Sequence, residues 1–172
     1  MRRSAVILAL LLLGCTGDLT PLDSRPRGDG ASPVADGTPR PDGAACVLGT
    51  YHQGYCYFTA GLNSMDYQTA QDLCTASGAE PASIHSQTLN DLIFNMMLKI
   101  RDGVWIGLVR GGGAFAWEDG SALDYTNWAP GEPDDQDCAI MVGPWGDQSR
   151  QGMWADSRCS TKYEEIVCQK KP

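Results

Sequence analysis

The chain has 172 residues, of which 42% are hydrophobic, and this is enough for one folded domain with additional segments. Its formal net charge of −8 argues against nucleic acid as a partner, because that kind of binding needs a basic face. Seven cysteines occur, with neither a CxxC pair nor a His/Cys cluster at zinc spacing, which indicates disulfide bonds rather than a zinc–thiolate site.

The N-terminal residues have the pattern of a secretory signal. Two arginines precede an apolar run from Ala5 to Leu13 that is too short to span a bilayer as a helix. The run ends in Leu12-Leu13-Gly14-Cys15, which resembles the bacterial lipobox, where the signal is cut before a cysteine that carries lipid. An ordinary signal peptide with one additional cysteine is the alternative. Setting Cys15 aside leaves an even number of cysteines, all from Cys46 onward.

This resemblance implies three segments. Residues 1–14 would be a lipoprotein signal peptide. Residues 15–45 would be a lipidated N-terminus and a disordered linker, because a segment so rich in Pro, Gly and Asp buries too little apolar surface to offset its ordering entropy. Residues 46–172 would form the folded domain. The protein would be lipid-anchored in a bacterial cell envelope, at the outer membrane or cell surface, and would meet the membrane through that anchor only.

The first part of the domain predicts one strand and two helices. Tyr55 to Phe58 is expected to form a short aromatic strand. Asn63 is expected to be the N-cap of the first helix, with Asp66 three residues later, and Gly78 is expected to end it. A second helix is expected after Ser83–Ser86, and its apolar stripe indicates core packing rather than a binding groove.

The second part of the domain predicts short strands. Val104 to Val109 is expected to be a buried strand. Gly111 to Gly113 indicates a hairpin turn and not a phosphate loop, since no helix with Lys and Ser/Thr follows. Ala139 to Val142 and Ile166 to Cys168 are predicted as further strands. Two helices followed by short strands favour an α+β fold.

The stretch from Trp128 to Cys138 concentrates acidic and amide side chains around Pro133. Calcium prefers several oxygens at short range, from carboxylates, amides and main-chain carbonyls. Glu132 and Asp134 point to the same side if Pro133 holds an extended or cis turn. An acidic surface turn is the alternative, because Gly, Pro and Asp are ordinary turn formers. These residues alone leave both interpretations open.

Several motifs follow one another along the domain: Ala70-Gln71-Asp72-Leu73-Cys74, Ala82-Ser83-Ile84-His85-Ser86, Trp105-Ile106-Gly107-Leu108, Trp117 with Gly120, Trp128 with Glu132-Pro133-Asp134, Cys138, Trp154-Ala155-Asp156, Cys159 and Cys168. In this order they resemble a known family, the C-type lectin-like domain in its long form. The resemblance covers Cys46 to about Gln169. It implies an α+β fold of two helices, short antiparallel sheets and a long loop region, linked by disulfides.

The same resemblance implies the disulfide pairing. Six cysteines allow 15 connectivities, so the spacing alone does not select one. The family pattern implies Cys46–Cys56, Cys74–Cys168 and Cys138–Cys159. It also implies that three tryptophans, Trp105, Trp117 and Trp128, belong to the core.

A metal site is implied by the motif at Pro133. Sugar-binding members of the family carry Glu-Pro-Asn, associated with mannose-type sugars, or Gln-Pro-Asp, associated with galactose-type sugars, and this chain has a mixture of the two. The resemblance places the calcium ligands on Glu132, Asp134, Gln136 and Asp156, with Ala155 where an amide ligand would stand. One weakly bound calcium ion is therefore expected. No second ion is expected, because residues 110–114 after the preceding strand carry no acidic side chain.

Two functions remain open at this point. The first is a surface-anchored carbohydrate-binding module in which one calcium ion bridges to sugar hydroxyls at Glu132, Asp134 and Gln136. The alternative is a calcium-independent module for protein binding or adhesion, since one fold hosts both. The partner would be a glycan or a surface protein. We also expect Trp145 to line the ligand surface, because aromatic faces suit sugars. Alternatively, the Trp145 ring folds back onto its own hairpin and does not contact a ligand.

Enzymatic activity is not expected. The sequence presents no evident Ser/His/Asp pattern and no free thiol within the domain. His85 matches a position before a helix in the family and is expected to be structural. A carboxylate pair such as Glu132 and Asp134 suits a glycosidase, but nothing else in the sequence supports that function.

Overall fold

The computed structural model describes residues 46–47, 49–97, 100 and 102–172. The predicted signal peptide, the lipidation of Cys15 and most of the linker lie outside these residues. Within them, no helix is both long and apolar enough to cross a membrane. The strands are β1 (Thr50–His52), β2 (Tyr55–Met65), β3 (Glu80–Pro81), β4 (Gly103–Gly111), β5 (Ala114–Trp117), β6 (Cys138–Val142), β7 (Trp154–Ser157) and β8 (Tyr163–Lys170), and the helices are α1 (Tyr67–Ala76) and α2 (Gln87–Met96).

Helix α1 begins three residues later than the sequence pattern indicated. Asn63 is not the N-cap, because strand β2 continues to Met65 and pairs there with Tyr163 of β8. Asp66 caps the helix instead, and its Oδ1 accepts a hydrogen bond from the main-chain N–H of Thr69 at 3.0 Å. The helix ends before Gly78 as predicted, where φ is +64°.

Helix α2 follows the sequence prediction closely. Ser86 is its N-cap, and the Ser86 hydroxyl accepts a hydrogen bond from the main-chain N–H of Leu89 at 3.2 Å. The predicted apolar stripe faces the core, with Leu89, Ile93 and Met97 buried. The stripe is therefore packing surface and not a groove.

Hydrogen bonding joins the strands into one sheet, in the order β1-β2-β8-β4-β6-β7, with β3 added to β8 and β5 added to β4. Neighbours are antiparallel except for β4 and β8, which are parallel through Val104–Glu165 and Trp105–Ile166. The predicted α+β fold with two helices is confirmed. The strands, which were predicted to be in short antiparallel sheets, form one sheet that is mixed, because β8 lies parallel to β4.

Strand β4 is buried on both faces, which explains why its sequence is almost wholly apolar. Val104, Ile106 and Leu108 belong to a core cluster with α2, while Trp105 belongs to a second cluster with α1. Gly107 is required by close packing, since a Cβ there would lie 2.8 Å from the carbonyl oxygen of Pro81.

Three disulfides link the domain, and they are the pairs that the family pattern implied. Cys74–Cys168 joins α1 to β8, Cys138–Cys159 joins the start of β6 to the segment after β7, and Cys46–Cys56 links the first strand pair. The Cys138–Cys159 disulfide lies at the end of the acidic stretch. It joins the start of β6, which follows that stretch, to the segment after β7, the strand that carries Asp156.

Candidate metal centre

Residues 118–137 form the long loop of the domain, with no helix or strand except an isolated bridge between Trp128 and Trp154. The loop returns to β7 through two main-chain hydrogen bonds, Ala129 N–H to Trp154 O at 2.8 Å and Trp154 N–H to Asn127 O at 2.7 Å. It therefore passes directly over β7, whose residue Asp156 pairs with Ala139 of β6.

Three carboxylates meet where this loop crosses β7. One oxygen each from Glu132, Asp134 and Asp156 lies within 4.8 Å of the other two. The peptide bond between Glu132 and Pro133 is cis, one of the two arrangements expected to place Glu132 and Asp134 on the same side. We call these three residues the acidic cluster.

Asp156 is the centre of the acidic cluster, and its side chain is fully buried. Its two oxygens accept hydrogen bonds from the main-chain N–H groups of Asp134, at 3.0 Å, and Gln136, at 2.7 Å. Burial acts to raise the pKa of the Asp156 carboxyl, but hydrogen bonds from the Glu132 side chain and from these two amides hold it below its ordinary value. Asp156 therefore stays ionised and organises the loop above it.

The pKa of Glu132 is shifted in the opposite direction to that of Asp156. Burial raises the pKa of Glu132, and the hydrogen bond shared with Asp156 raises it further, while the nearby Arg150 opposes the shift. Burial and the neighbouring Asp156 thus make the ionised form of Glu132 costly in the absence of a cation. A divalent cation would lower that cost, because it interacts with both carboxylates at once.

Three arginines surround the acidic cluster, and no motif in the sequence predicted a role for them. A guanidinium nitrogen of Arg150 contacts Glu132 Oε1. Arg110 Nη2 lies 3.5 Å from Asp156 Oδ2 and donates to the carbonyl oxygen of Asp134 at 3.4 Å. Arg158 Nε donates to Gln136 Oε1 at 3.2 Å. Their positions at the end of β4, in the loop before β7 and after β7 share no spacing pattern, so no local signal identifies them.

Gln136 is placed differently from the other predicted ligands. Its main-chain N–H is bound to Asp156, its side-chain oxygen accepts from Arg158, and its side-chain nitrogen donates to Asp135. The Gln136 amide is thus beside the acidic cluster with its hydrogen-bonding groups already engaged. It would have to leave Arg158 to reach an ion.

Trp145 lies on the loop between β6 and β7 and is 74% exposed, so it does not fold back onto its own hairpin. The loop is shaped by Asp147, whose Oδ1 accepts from the main-chain N–H of Ser149 at 3.0 Å, and by Gln151, which donates to the carbonyl oxygen of Pro144 at 2.7 Å. The Arg150 contact to Glu132 ties this loop to the acidic cluster.

Beneath the acidic cluster lies an aromatic core centred on Trp154. Its ring meets those of Trp117, Tyr125 and Trp128 at centroid distances of 5.5, 5.6 and 5.8 Å. Trp117 is buried as predicted, whereas Trp128 is only half-buried and packs against the edge of the core. Trp154 is fully buried, although its motif predicted no core position for it.

A serine, a histidine and an aspartate do come together elsewhere in the fold. His85 Nδ1 lies 2.7 Å from Asp124 Oδ1, and His85 Nε2 lies 3.1 Å from Ser121 Oγ. The Ser121 hydroxyl, however, donates its one proton to Asp119 Oδ1 at 2.5 Å. The pKa of Asp119 is lowered, despite burial, by bonds from Ser121, Ser83 and Gln169. Asp119 therefore accepts that proton, and Ser121 is not poised as a nucleophile for His85.

The fold and this arrangement of acidic loop, flanking disulfide and buried tryptophans define a domain with the C-type lectin architecture. The chain belongs to the C-type lectin family, since the family model "Lectin C-type domain" matches residues 63–170. The "Low affinity immunoglobulin epsilon Fc receptor" of mouse is 34% identical over 125 residues, which is 69% of this chain and 35% of the receptor. The chain thus spans about a third of the length of that relative.

Solved structures show the same fold. The cow "C-type carbohydrate-recognition domain of CD23 in the presence of GlcNAc2Man3 oligosaccharide" superimposes with a TM-score of 0.65 and 29% identity, covering 75% of this chain and 97% of that one. A "calcium-independent type II antifreeze protein" superimposes with a TM-score of 0.63 and 26% identity, covering 74% and 95%. The fold therefore occurs both in a carbohydrate-recognition domain and in a protein described as calcium-independent.

The relatives bear on the predicted localisation and on the expected absence of enzymatic activity. The predicted bacterial cell envelope is wrong, because the matching curated relatives are receptors of mouse, rat and human, and they give no support to a bacterial lipoprotein. The names of these relatives, and of a further mouse relative, "C-type lectin domain family 4 member G", are those of receptors and lectins rather than enzymes.

Proposed function

We propose that this domain binds carbohydrate through one calcium ion held by the acidic cluster, with sugar hydroxyls completing the coordination shell. The observation that carries the proposal is the convergence of one oxygen each from Glu132, Asp134 and Asp156 within 4.8 Å. Hard cations prefer such a set of oxygens, and two of these side chains remain accessible from the loop surface.

The donor set suits calcium but suits it weakly. Calcium takes about six to eight oxygens. Here three carboxylates are available, Gln136 is engaged by Arg158, and Ala155 supplies no side-chain oxygen. Water and sugar hydroxyls would fill the remaining positions. We therefore expect a dissociation constant on the order of 10⁻⁴ to 10⁻³ M, the range of extracellular modules.

The sugar contacts follow from the same residues. Glu132 and Asp134 would accept hydrogen bonds from the hydroxyls that bind the ion, and the Gln136 amide would donate one when it is released from Arg158. The exposed ring of Trp145 would cover an apolar face of a neighbouring sugar unit. The cow relative, described as a carbohydrate-recognition domain with an oligosaccharide present, supports this proposal.

Calorimetric titration with calcium tests the metal site. Wild-type protein should release or absorb heat with a millimolar midpoint, and Glu132→Gln/Asp134→Asn should remove that heat because two charged oxygens are lost. Asp147→Asn is the matched control, since Asp147 is an exposed acid on the neighbouring loop that is outside the acidic cluster. Equal heats for wild type and the double variant would contradict the proposal.

Binding to immobilised glycans, with calcium or with a chelator, tests the ligand. Chelation should abolish binding. Trp145→Ala should weaken it while leaving calcium affinity and thermal stability unchanged, because the ring is exposed and is not a metal ligand. Unchanged glycan binding by Trp145→Ala would remove that residue from the ligand surface.

A second function is favoured by the arginines. Arg150 and Arg110 already supply positive charge to Glu132 and Asp156, which is what a structural cation would otherwise do. The domain would then be a calcium-independent module that binds a protein or mediates adhesion. Ligand binding and a melting temperature that are both indifferent to chelator would favour this function.

A further inference from the structure

Arg150 occupies the position of a competitor within the proposed calcium site. Its guanidinium contacts Oε1 of Glu132, and Glu132 is a member of the acidic cluster. The Glu132 side chain is 14% exposed and that of Arg150 is 30% exposed, so solvent screens this pair only in part. A guanidinium and a calcium ion next to the same carboxylate repel each other. Metal binding at Glu132 and the Arg150 contact therefore oppose one another.

The guanidinium of Arg150 is incompletely satisfied where it lies. Its Nε is buried and has no hydrogen-bond partner among the described residues. A buried donor without a partner carries a desolvation cost, which is recovered when the group moves into water. The free-energy cost of releasing Arg150 from Glu132 would thus be partly offset by rehydration of its Nε–H. This favours displacement of Arg150 by a cation.

Arg150 also connects the acidic cluster to the loop that carries Trp145. Among the residues that the structure describes, the other hydrogen bonds of positions 144–151 stay within 143–153, such as Arg150 N–H to Asp147 O at 2.9 Å. The ion pair with Glu132 is the polar link from these positions to the cluster. Displacement of Arg150 from Glu132 would therefore remove this polar link between the loop and the acidic cluster.

We infer that Arg150 is a built-in competitor that sets the calcium affinity of the acidic cluster, and that calcium binding releases Arg150 together with the Trp145 loop. This inference rests on the proposed calcium site. It assigns to Arg150 an indirect role, because the residue does not bind the metal. It also couples the metal to the aromatic part of the proposed sugar surface.

Calcium titration of three proteins tests the competition. Arg150→Gln should bind calcium about tenfold more tightly than wild type, the change expected when one charge-assisted hydrogen bond is lost from the metal-free state. Lys162→Gln is the control, because it also removes one positive charge, but that side chain pairs with Asp66, outside the acidic cluster. It should gain at most about threefold, since only screened long-range repulsion of the ion is relieved.

The outcomes separate this inference from the proposed function. Equal affinity of wild type and Arg150→Gln, or equal gains for both variants, overturns the inference and leaves the metal site standing. Binding by Arg150→Gln with none by wild type supports the inference and removes calcium from the function of the native chain. No heat from any of the three proteins overturns the metal site and the inference with it.

Amide hydrogen exchange of the wild-type protein tests the coupling without any variant. Addition of calcium should make residues 144–151 exchange faster, while the amides of Asp134 and Gln136, which are bound to Asp156, stay protected. A metal that merely ordered its surroundings would slow exchange in both segments. Slower or unchanged exchange in 144–151 at saturating calcium would overturn the coupling.

Discussion

Asn90 is a polar residue that the core depends on. It is 1% exposed, and its side-chain oxygen accepts a hydrogen bond from Trp154 Nε1 at 2.8 Å while its nitrogen donates to the carbonyl oxygen of Gly152 at 3.0 Å. A buried amide is tolerated only when its donors and acceptors are paired. Asn90 thereby fixes both the central tryptophan and the end of the Trp145 loop from helix α2.

Asn90→Leu should destabilise the domain. The substitution leaves the buried Trp154 N–H without this partner, whereas the Gly152 carbonyl keeps a hydrogen bond from Asn127 Nδ2 at 2.9 Å. A buried unpaired group costs roughly 1 to 3 kcal/mol, so we expect a loss of about that size in the free energy of unfolding, measured by urea denaturation. Asn95→Leu is the control, because Asn95 is exposed on the same helix. A loss of equal size in both variants would show that Asn90 has no special role.

At the scale of the element, helix α1 depends on Asp66 for its start. The carboxylate accepts hydrogen bonds from the main chain and hydroxyl of Thr69, and it pairs with Lys162 Nζ at 2.7 Å, which ties α1 to the segment before β8. The Lys162 bond, followed by the two Thr69 bonds, lowers the pKa of Asp66 well below its ordinary value. The ionised form is therefore favoured by folding.

This shift predicts a pH dependence with a definite sign. A carboxyl whose pKa is lower in the folded state stabilises the fold fully above its unfolded pKa, about 3.9, and loses that contribution as pH falls through the folded pKa. Asp66→Asn keeps a good capping residue but removes the charge. The variant should melt below wild type at pH 6, and the two melting temperatures should converge as pH falls from 4 toward 2.

Asp72→Asn on the same helix is the control for that comparison. Asp72 accepts from Gln68 rather than from a lysine, so its substitution should leave the pH profile of the melting temperature close to wild type. A difference between wild type and Asp66→Asn that stays constant from pH 6 to pH 2 would contradict the linkage.

At the scale of the whole molecule, the three disulfides constrain very different lengths of chain. Cys74–Cys168 spans 94 residues, whereas Cys46–Cys56 spans 10. A cross-link stabilises mainly by restricting the unfolded chain, so the longer loop should contribute more. Cys74 and Cys168 are also fully buried, in the core cluster that includes Trp105 and Ile166.

Removal of each disulfide by paired alanine substitutions tests this ranking. Cys74→Ala/Cys168→Ala should lower the free energy of unfolding by about 4 to 5 kcal/mol, and Cys46→Ala/Cys56→Ala by about 2 to 3 kcal/mol. The midpoint of denaturant unfolding under non-reducing conditions gives both values. The reverse order would mean that local strand pairing at the N-terminal hairpin matters more than the long loop.

Features that depend on neighbouring residues could be predicted from the sequence of this domain. The start of α2 at Ser86, the end of α1 before Gly78, the buried strand at Val104–Val109 and the turn at Gly111–Gly113 all follow from caps, apolar spacing or glycine. Their physical causes act over a few residues. The convergence of Glu132 and Asp134 belongs to the same class, because the two are separated by one proline.

Only the tertiary structure determines which distant residues join Glu132 and Asp134 at the acidic cluster. The pairing of β6 with β7 brings Asp156 beneath the loop, and the path of the chain carries Arg110 and Arg150 to the carboxylates from segments on either side. The shift of the α1 cap from Asn63 to Asp66 likewise follows from pairing of β2 with β8. These contacts join residues far apart in the chain, and their formation depends on packing of the complete sheet, which no local pattern encodes.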